Sequence, residues 1–321
     1  MEYILAAAIA FSLASMFYVF RYRGIARYAN LREYTRKAWP VFAPLNCLLY
    51  LFTKPRARRV FMDLADYPEL APIRQNWRQI REEVLQLHRG GYFDKTSDPN
   101  SPAYFDVGFR TFYKYGWSKF YLKWYGHTHE SAAALCPNTV RILQDIPSVN
   151  GAMFSVLPPG GQLTRHIDPL AISLRYHLGL STPNSEQCFI NVDGQPYSWR
   201  DGEATLFDIT YLHFARNDSD TPRLILMCDV ERPMNFLGRM VNFFYKGIAR
   251  LTVVPNIEGD KRGLANRVFA SVAPTFARTK ALKKSNRPLY NLVKWTFNGT
   301  LLLLLGLLIY GLVELLRNAI N

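Results

Sequence analysis

Cysteine is scarce in this chain: 321 residues carry four, Cys47, Cys136, Cys188 and Cys228, with no CxxC and no paired spacing. That pattern excludes a zinc ribbon and a disulfide framework and suits a reducing compartment. GxSxG is missing, and no cysteine stands in a recognisable Cys/His frame, so nucleophilic catalysis has no good candidate. Internal repeats and low-complexity tracts are missing too. A content of 49% hydrophobic and 14% aromatic residues supports one sizeable core or two small ones rather than disorder. Acids are outnumbered, 25 Asp+Glu against 39 Lys+Arg, for a net charge of +14. The excess sits in the wrong places for a nucleic-acid reader. Residues 21–60 hold ten Lys/Arg against one acid and 236–294 hold twelve against two, whereas 61–235 holds sixteen against twenty. A nucleic-acid binder usually carries its basic patch on the folded domain itself, so no nucleic acid is expected as a partner.

Charge is absent from two apolar runs, and the basic flanks lie beside them. Tyr3–Phe20 reads YILAAAIAFSLASMFYVF, about 27 Å as a helix and close to the thickness of a bilayer core. Glu2 precedes it and Arg21, Arg23 and Arg27 follow, the reverse of a signal peptide. Trp295–Val313 (WTFNGTLLLLLGLLIYGLV) is the second run, preceded by Lys283, Lys284, Arg287 and Lys294. Both asymmetries place residues 21–294 on the cytoplasmic side with the termini across the membrane. The expected division is therefore an N-terminal transmembrane helix (1–20), a basic juxtamembrane segment (21–60), a folded domain (61–235), a basic amphipathic or interfacial region (236–294) and a C-terminal transmembrane helix (295–313). Anionic phospholipid is the expected partner of the basic flanks.

Residues 41–52 (VFAPLNCLLYLF) are too short to span a bilayer and belong in the interface or over the core. Over 73–89, Ile73, Trp77, Ile80, Val84 and Leu87 recur at helical spacing and predict a surface helix. From about 103 to 232 the texture changes to short alternating runs. They are separated by PPGG (158–161), TPNS (182–185), DGQP (193–196) and NDSD (217–220), which indicates an all-β barrel or sandwich. Residues 236–251 (FLGRMVNFFYKGIARL) read as a basic amphipathic helix, set either on a membrane surface or as a cap on the domain.

Chemistry concentrates in RHIDPLAISLRYHLGL (165–180). On a strand, residues two apart share a face, so His166 and Asp168 project together. Ser173, Arg175 and His177 likewise face away from Ile172, Leu174, Tyr176 and Leu178. The strand then fronts a polar cavity rather than a dry core. His-x-Asp with a distant histidine, His213 in LFDITYLHFARN, is the ligand set of a mononuclear non-haem iron centre: one octahedral face filled, three positions open. Arg175 lies nine residues after His166 and Arg223 ten after His213. Two such guanidinium groups beside an iron suggest a dicarboxylate such as 2-oxoglutarate. The bland alternative makes all five surface or core residues with local partners. His177 either touches the cosubstrate or packs in the core. His127 and His129 (GHTHE) lack a spaced third ligand and read as a solvated loop. His88 ends a helix, where an imidazolium suits the carbonyl end, and Asp208 fixes a turn.

FSVLPPGGQLTRHIDPLAISLRYHLGL (154–180) and YSWRDGEATLFDITYLHFARNDSDTPRLILMCDVERP (197–233) resemble the aspartyl/asparaginyl β-hydroxylase family of Fe(II)- and 2-oxoglutarate-dependent dioxygenases. FYLKWYGHTHESAAALCP (120–137) and the terminal apolar runs are similar to its membrane-bound, lipid-A-hydroxylating members. The resemblance implies a mainly β fold: a double-stranded β-helix (jelly-roll) core with flanking helices and a transmembrane helix at each end. It implies iron on His166 and His213, Arg175 and Arg223 on the carboxylates of 2-oxoglutarate, Ser155 assisting, and His177 within the recurrent RxHLGL. Asp168 stands where peptide-hydroxylating members carry glycine, and completes a facial triad of His166, Asp168 and His213. The implied reaction consumes O₂ and 2-oxoglutarate, releases succinate and CO₂, and hydroxylates carbon 2 of a secondary acyl chain on lipid A or a precursor, at the cytoplasmic face of a bacterial inner membrane. The rival expectations are a peptide Asp/Asn hydroxylase and a non-catalytic membrane scaffold on a jelly-roll.

Overall fold

The computed structural model describes residues 2–106, 108–109, 112–296 and 299. The chain divides into two units, Met1–Arg267 and Val268–Asn321. In chain order the first unit begins with helices α1 (Glu2–Arg21), α2 (Leu31–Lys37), α3 (Ala43–Phe52), α4 (Ala71–Gln75) and α5 (Trp77–Arg89). Strands β1 (Ser118–Trp124) and β2 (His127–Thr128) follow, then α6 (Glu130–Leu135) and α7 (Pro137–Gln144). The remaining strands are β3 (Val149–Leu157), β4 (Gln162–His166), β5 (Ser173–Ser181), β6 (Cys188–Val192), β7 (Gln195–Ser198), β8 (Ala204–Phe207), β9 (His213–Asn217) and β10 (Arg223–Glu231). Helix α8 (Phe236–Ala249) comes next, and α9 (Leu264–Ser285) straddles the division between the units.

Two antiparallel sheets carry the fold. Their strand orders are β2-β1-β3-β10-β5-β8 and β4-β9-β6-β7. From β3 onward successive strands alternate between the sheets except at the β6–β7 hairpin, which is the winding of a double-stranded β-helix. Turn chemistry permits it. Asp193 and Gly194, with φ of 54° and 85°, make the left-handed two-residue turn that joins β6 to β7. The larger sheet is apolar on both faces. Leu174, Tyr176 and Leu178 of β5 join Leu224, Leu226 and Cys228 of β10 in a core beneath α5 and α7, while Met153, Leu157, Ile225 and Met227 face the smaller sheet. The periodicity over 73–89 yields α4 and α5, broken at Asn76, and α6 and α7 interrupt the run that reads as all-β.

Residues 1–60 are part of this compact unit rather than a detached anchor. Val19, Tyr28, Tyr34 and Ala38 share an apolar cluster with Ile167 and Leu212, the neighbours of His166 and His213. Asp193 Oδ1 accepts the backbone N–H groups of Ile25 and Ala26 at 2.6 and 2.8 Å. Ile167 N–H donates to the Lys37 carbonyl, and Arg165 to that of Arg27. Arg23 lies between the Tyr50 and Tyr211 rings, 3.9 Å from each centroid, and pairs with Asp208 at 2.8 Å.

This packing corrects the expected membrane topology. Among the described residues no helix is long and apolar enough to cross a membrane, which overturns the inner-membrane location with a cytoplasmic catalytic domain. The physical reason is visible in α1. One face of its last turns packs into the fold: Ser15 and Val19 are buried, and the Met16 carbonyl accepts the Tyr34 hydroxyl at 3.1 Å. That leaves roughly 13 residues, about 20 Å of helix, against a bilayer core of about 30 Å. The C-terminal run 295–313 lies almost wholly outside the described residues.

Candidate active site

The space between the sheets is lined by the residues that the alternation of β5 turns inward. His166, at the end of β4, and His213, at the start of β9, are direct cross-strand partners on the smaller sheet, with ring centroids 4.3 Å apart. Asp168 lies just past β4, its backbone N–H tied to the Ile209 carbonyl at 2.9 Å. Its Oδ1 is 3.5 Å from His166 Nε2 and 3.9 Å from His213 Nε2. One ligand atom from each of the three lies within 4.8 Å of the others. Both imidazoles are set the same way. Nδ1 of His166 meets the Thr164 carbonyl at 2.6 Å, and Nδ1 of His213 meets that of Tyr211 at 2.9 Å. A carbonyl can only accept, so each Nδ1 carries a proton, and each ring turns its Nε2 toward Asp168. Burial and the nearby His166 push His213 down to about 4, which keeps it neutral. Burial opposes ionisation of Asp168, but Arg175 and the two histidines outweigh it and hold the carboxyl below its ordinary value. Two imidazoles and a carboxylate converging on one point suit a divalent cation with open positions.

The two arginines differ in their partners. Arg175 is committed: Nη2 meets Asp168 Oδ2 at 2.9 Å, Nε lies 3.0 Å from Asp229 Oδ1, and Nη1 faces Met227 Sδ. Arg223, at the start of β10, is fully buried and has no carboxylate partner among the described residues. Its Nη2 donates to Ser155 Oγ at 3.0 Å, and its guanidinium lies 4.5 Å from the Trp199 ring centroid. Burial pulls its pKa down to about 10, and its Nε has no acceptor. His177 is buried as well. Its Nδ1 accepts from Trp199 Nε1 at 3.3 Å, so the proton sits on Nε2, which has no partner. Burial first, then Arg223 and Arg175, hold His177 far below its ordinary pKa, and it stays neutral. Unmet donors in a buried site call for an acceptor, and an uncompensated guanidinium calls for an anion. The protein's own charges here cancel: Asp168 and Asp229 against Arg175 and Arg223. A dication together with a dianion keeps that balance.

Trp199, which carries Arg223 and orients His177, and Asp229, which grips Arg175, escape a reading by motif. A tryptophan in YSWRDG signals only that something flat packs there. His129 corrects the solvated-loop reading: it is fully buried, donates from Nε2 to the Val254 carbonyl at 2.9 Å and stacks on Tyr121. His88 is exposed in the last turn of α5. Asp208 does fix a turn, with its Oδ1 2.9 Å from Thr210 N, and it also holds Arg232 at 2.6 Å.

A double-stranded β-helix with two cross-strand imidazoles and a carboxylate converging at its centre fits the class of oxygenase scaffolds. Residues 74–233 match the model of the aspartyl/asparaginyl β-hydroxylase family. The chain is 37% identical over 195 residues to the ornithine lipid ester-linked acyl 2-hydroxylase of Rhizobium tropici, covering 59% of this chain and 66% of that one. It is 31% identical over 173 residues to human aspartyl/asparaginyl beta-hydroxylase, covering 52% and 22%. The chain thus spans just under two thirds of the first relative and about a fifth of the second. Among solved structures, a viral collagen prolyl hydroxylase from Paramecium Bursaria Chlorella virus-1, as its 2OG complex, is similar at a TM-score of 0.26 and 11% identity, covering 36% of this chain and 78% of that one. The strand order carries the fold assignment without it.

Proposed function

We propose that this chain is an Fe(II)- and 2-oxoglutarate-dependent hydroxylase of carbon 2 in a lipid acyl chain, with the secondary acyl chain of lipid A as substrate and succinate and CO₂ as coproducts. The observation that carries the chemistry is the convergence of His166 Nε2, Asp168 Oδ1 and His213 Nε2, with the uncompensated Arg223 beside it. In this reading the three side chains hold Fe(II), which would supply O₂ activation coupled to decarboxylation of the keto acid. The chain's own work is positioning. The Thr164 and Tyr211 carbonyls fix the tautomers, Arg175 orients Asp168, and Arg223 with Ser155 receives the far carboxylate of 2-oxoglutarate. His177 Nε2–H donates to the cosubstrate, and the buried walls exclude water.

Two features support a lipid substrate. The Rhizobium relative is by name an acyl 2-hydroxylase. Helix α8 is also turned inside out: Phe236, Leu237, Phe243, Phe244 and Ile248 are exposed, while Asn242 is buried. An exposed apolar face with Arg239 on the same helix suits an anionic lipid surface from which acyl chains are drawn, and anionic phospholipid is the partner proposed for it. The same relative favours a second reading, in which the acyl chain belongs to an ornithine lipid. Succinate release with Fe(II) and 2-oxoglutarate, measured with lipid A, ornithine lipid or an Asp/Asn peptide and paired with mass spectrometry for one added oxygen, separates the readings. Hydroxylation of lipid A that vanishes in His166→Ala and His213→Ala is expected. Activity on the peptide alone, or a biological role untouched by both variants, would refute the proposal.

A further inference from the structure

Arg175 is buried between two carboxylates, and only one of them faces the imidazoles. Asp168 gives it Oδ2 and keeps Oδ1 for the site. The other, Asp229, sits directly opposite Arg175 across the β5–β10 pair and opposite Gly151 across the β3–β10 pair. Its room depends on that glycine: a Cβ at position 151 would lie 3.3 Å from Asp229 Oδ2 and 3.1 Å from the Trp124 ring. The Tyr125 hydroxyl, 3.5 Å from Oδ2 and 3.3 Å from Ser173 Oγ, closes the other side. The contact of Asp229 with Nε, at 3.0 Å, is an ion pair off the N–H axis. What Asp229 contributes is therefore charge and not an aligned hydrogen bond.

We infer that Asp229 is a positioning residue of the metal centre: it shares the charge of Arg175, so that Asp168 is oriented by the guanidinium without being neutralised by it. The inference rests on the metal reading of His166, Asp168 and His213. An arginine with a single carboxylate forms a closed ion pair, and that carboxylate is a poor ligand for a dication. An arginine divided between two carboxylates leaves one negative charge over, and the free oxygen of Asp168 points at the imidazoles. Partners behind metal ligands tune affinity by roughly 10- to 100-fold, and Asp229 stands behind Arg175 in that chain of contacts.

Titration of the metal-free full chain with Mn(II), a redox-stable probe for Fe(II), reads this by calorimetry without turnover, with Tm followed in parallel. Wild-type protein should bind one Mn(II), and His213→Ala should abolish it. Asp229→Asn should weaken Mn(II) binding by roughly 10- to 100-fold. Arg175→Gln/Asp229→Asn, which removes both charges, should recover part of that loss, binding Mn(II) at least about threefold tighter than Asp229→Asn and short of wild type by the orientation that Arg175 gives Asp168. Unchanged affinity in Asp229→Asn overturns the inference even if its Tm falls, and so does a double variant no better than the single one. Should Asp229→Asn fail to fold, Asp229→Glu decides: it keeps the charge, so affinity within a few-fold of wild type supports the inference and a loss of roughly tenfold or more overturns it. A wild-type chain that takes up no Mn(II), or takes it up equally in His213→Ala, sinks the metal reading itself.

Discussion

Replacing Arg223 with methionine should make the protein more stable and unable to bind 2-oxoglutarate, its proposed cosubstrate. The side chain is fully buried, has no carboxylate partner among the described residues, and burial pulls its pKa well down, to about 10. At 1.36 kcal/mol per pKa unit, holding that charge buried costs about 3 kcal/mol. Methionine fills similar space without it, while forfeiting the Ser155 hydrogen bond and the contact with Trp199, together worth about 1–2 kcal/mol. The net gain of about 1–2 kcal/mol corresponds to about 2–8 °C in Tm for a domain of this size. Binding moves the other way, because losing one partner of a buried charge pair costs about 2–5 kcal/mol, roughly 30- to 4,000-fold in Kd. Differential scanning fluorimetry with Mn(II), with and without 2-oxoglutarate, reads both effects. Cosubstrate at 100 times its Kd should protect wild type by about 2.7 kcal/mol and leave Arg223→Met unmoved. A variant that is less stable than wild type, or that is still protected, would refute the assignment of Arg223 as the carboxylate anchor.

Asp208, buried with Arg232 and Arg23, has its pKa lowered to about 2. Burial opposes that shift and the two guanidinium groups outweigh it. A depressed carboxyl stabilises the fold above its unfolded pKa of about 3.9, and the contribution, about 2 kcal/mol, drains away as pH falls from about 4 to about 2. Acid unfolding followed by circular dichroism should lose this step in Asp208→Asn, which should also be less stable at neutral pH. Phe243→Glu/Phe244→Glu on the exposed face of α8 should leave Tm within about 1 °C of wild type. It should cut acyl hydroxylation in lipid vesicles more than succinate release without lipid, and equal loss of both would refute a lipid-facing role. Gly202 has φ of 76°, and a Cβ there would lie 2.9 Å from the Trp77 indole. Gly202→Ala should therefore cost about 1–3 kcal/mol by urea denaturation, and a neutral result would show that α5 can shift.

Much of the site was legible because strands write it in alternation. Arg175 and His177 fall on one face of β5 and Leu174, Tyr176 and Leu178 on the other, as a period of two requires. Asp-Gly at 193–194 marks its own turn. The cross-strand meeting of His166 and His213 follows from register, which a single sequence does not print, although the histidine types and the carboxylate between them anticipate the chemistry. The partnership of Arg175 with Asp229 was illegible, because the two are neighbours only through the β5–β10 pairing. Tyr3–Phe20 misled for a different reason: hydropathy reports that a helix is apolar, not what covers it. One face of the last turns of α1 packs beside Tyr34 through Ser15 and Val19, whereas Leu5, Ile9, Phe11 and Leu13 stay exposed.

The tie between Asp193 and the backbone of Ile25 and Ala26, with Ile167 leaning on Lys37, bears on how this protein can be shortened for laboratory work. Removing the opening sixty residues as a dispensable tail would strip the backing from the loops that present both imidazoles. The trimmed product would still wind its sheets and look folded by circular dichroism, yet hold the proposed iron loosely. Truncation boundaries belong ahead of Ser15, where α1 leaves the cluster that supports those loops.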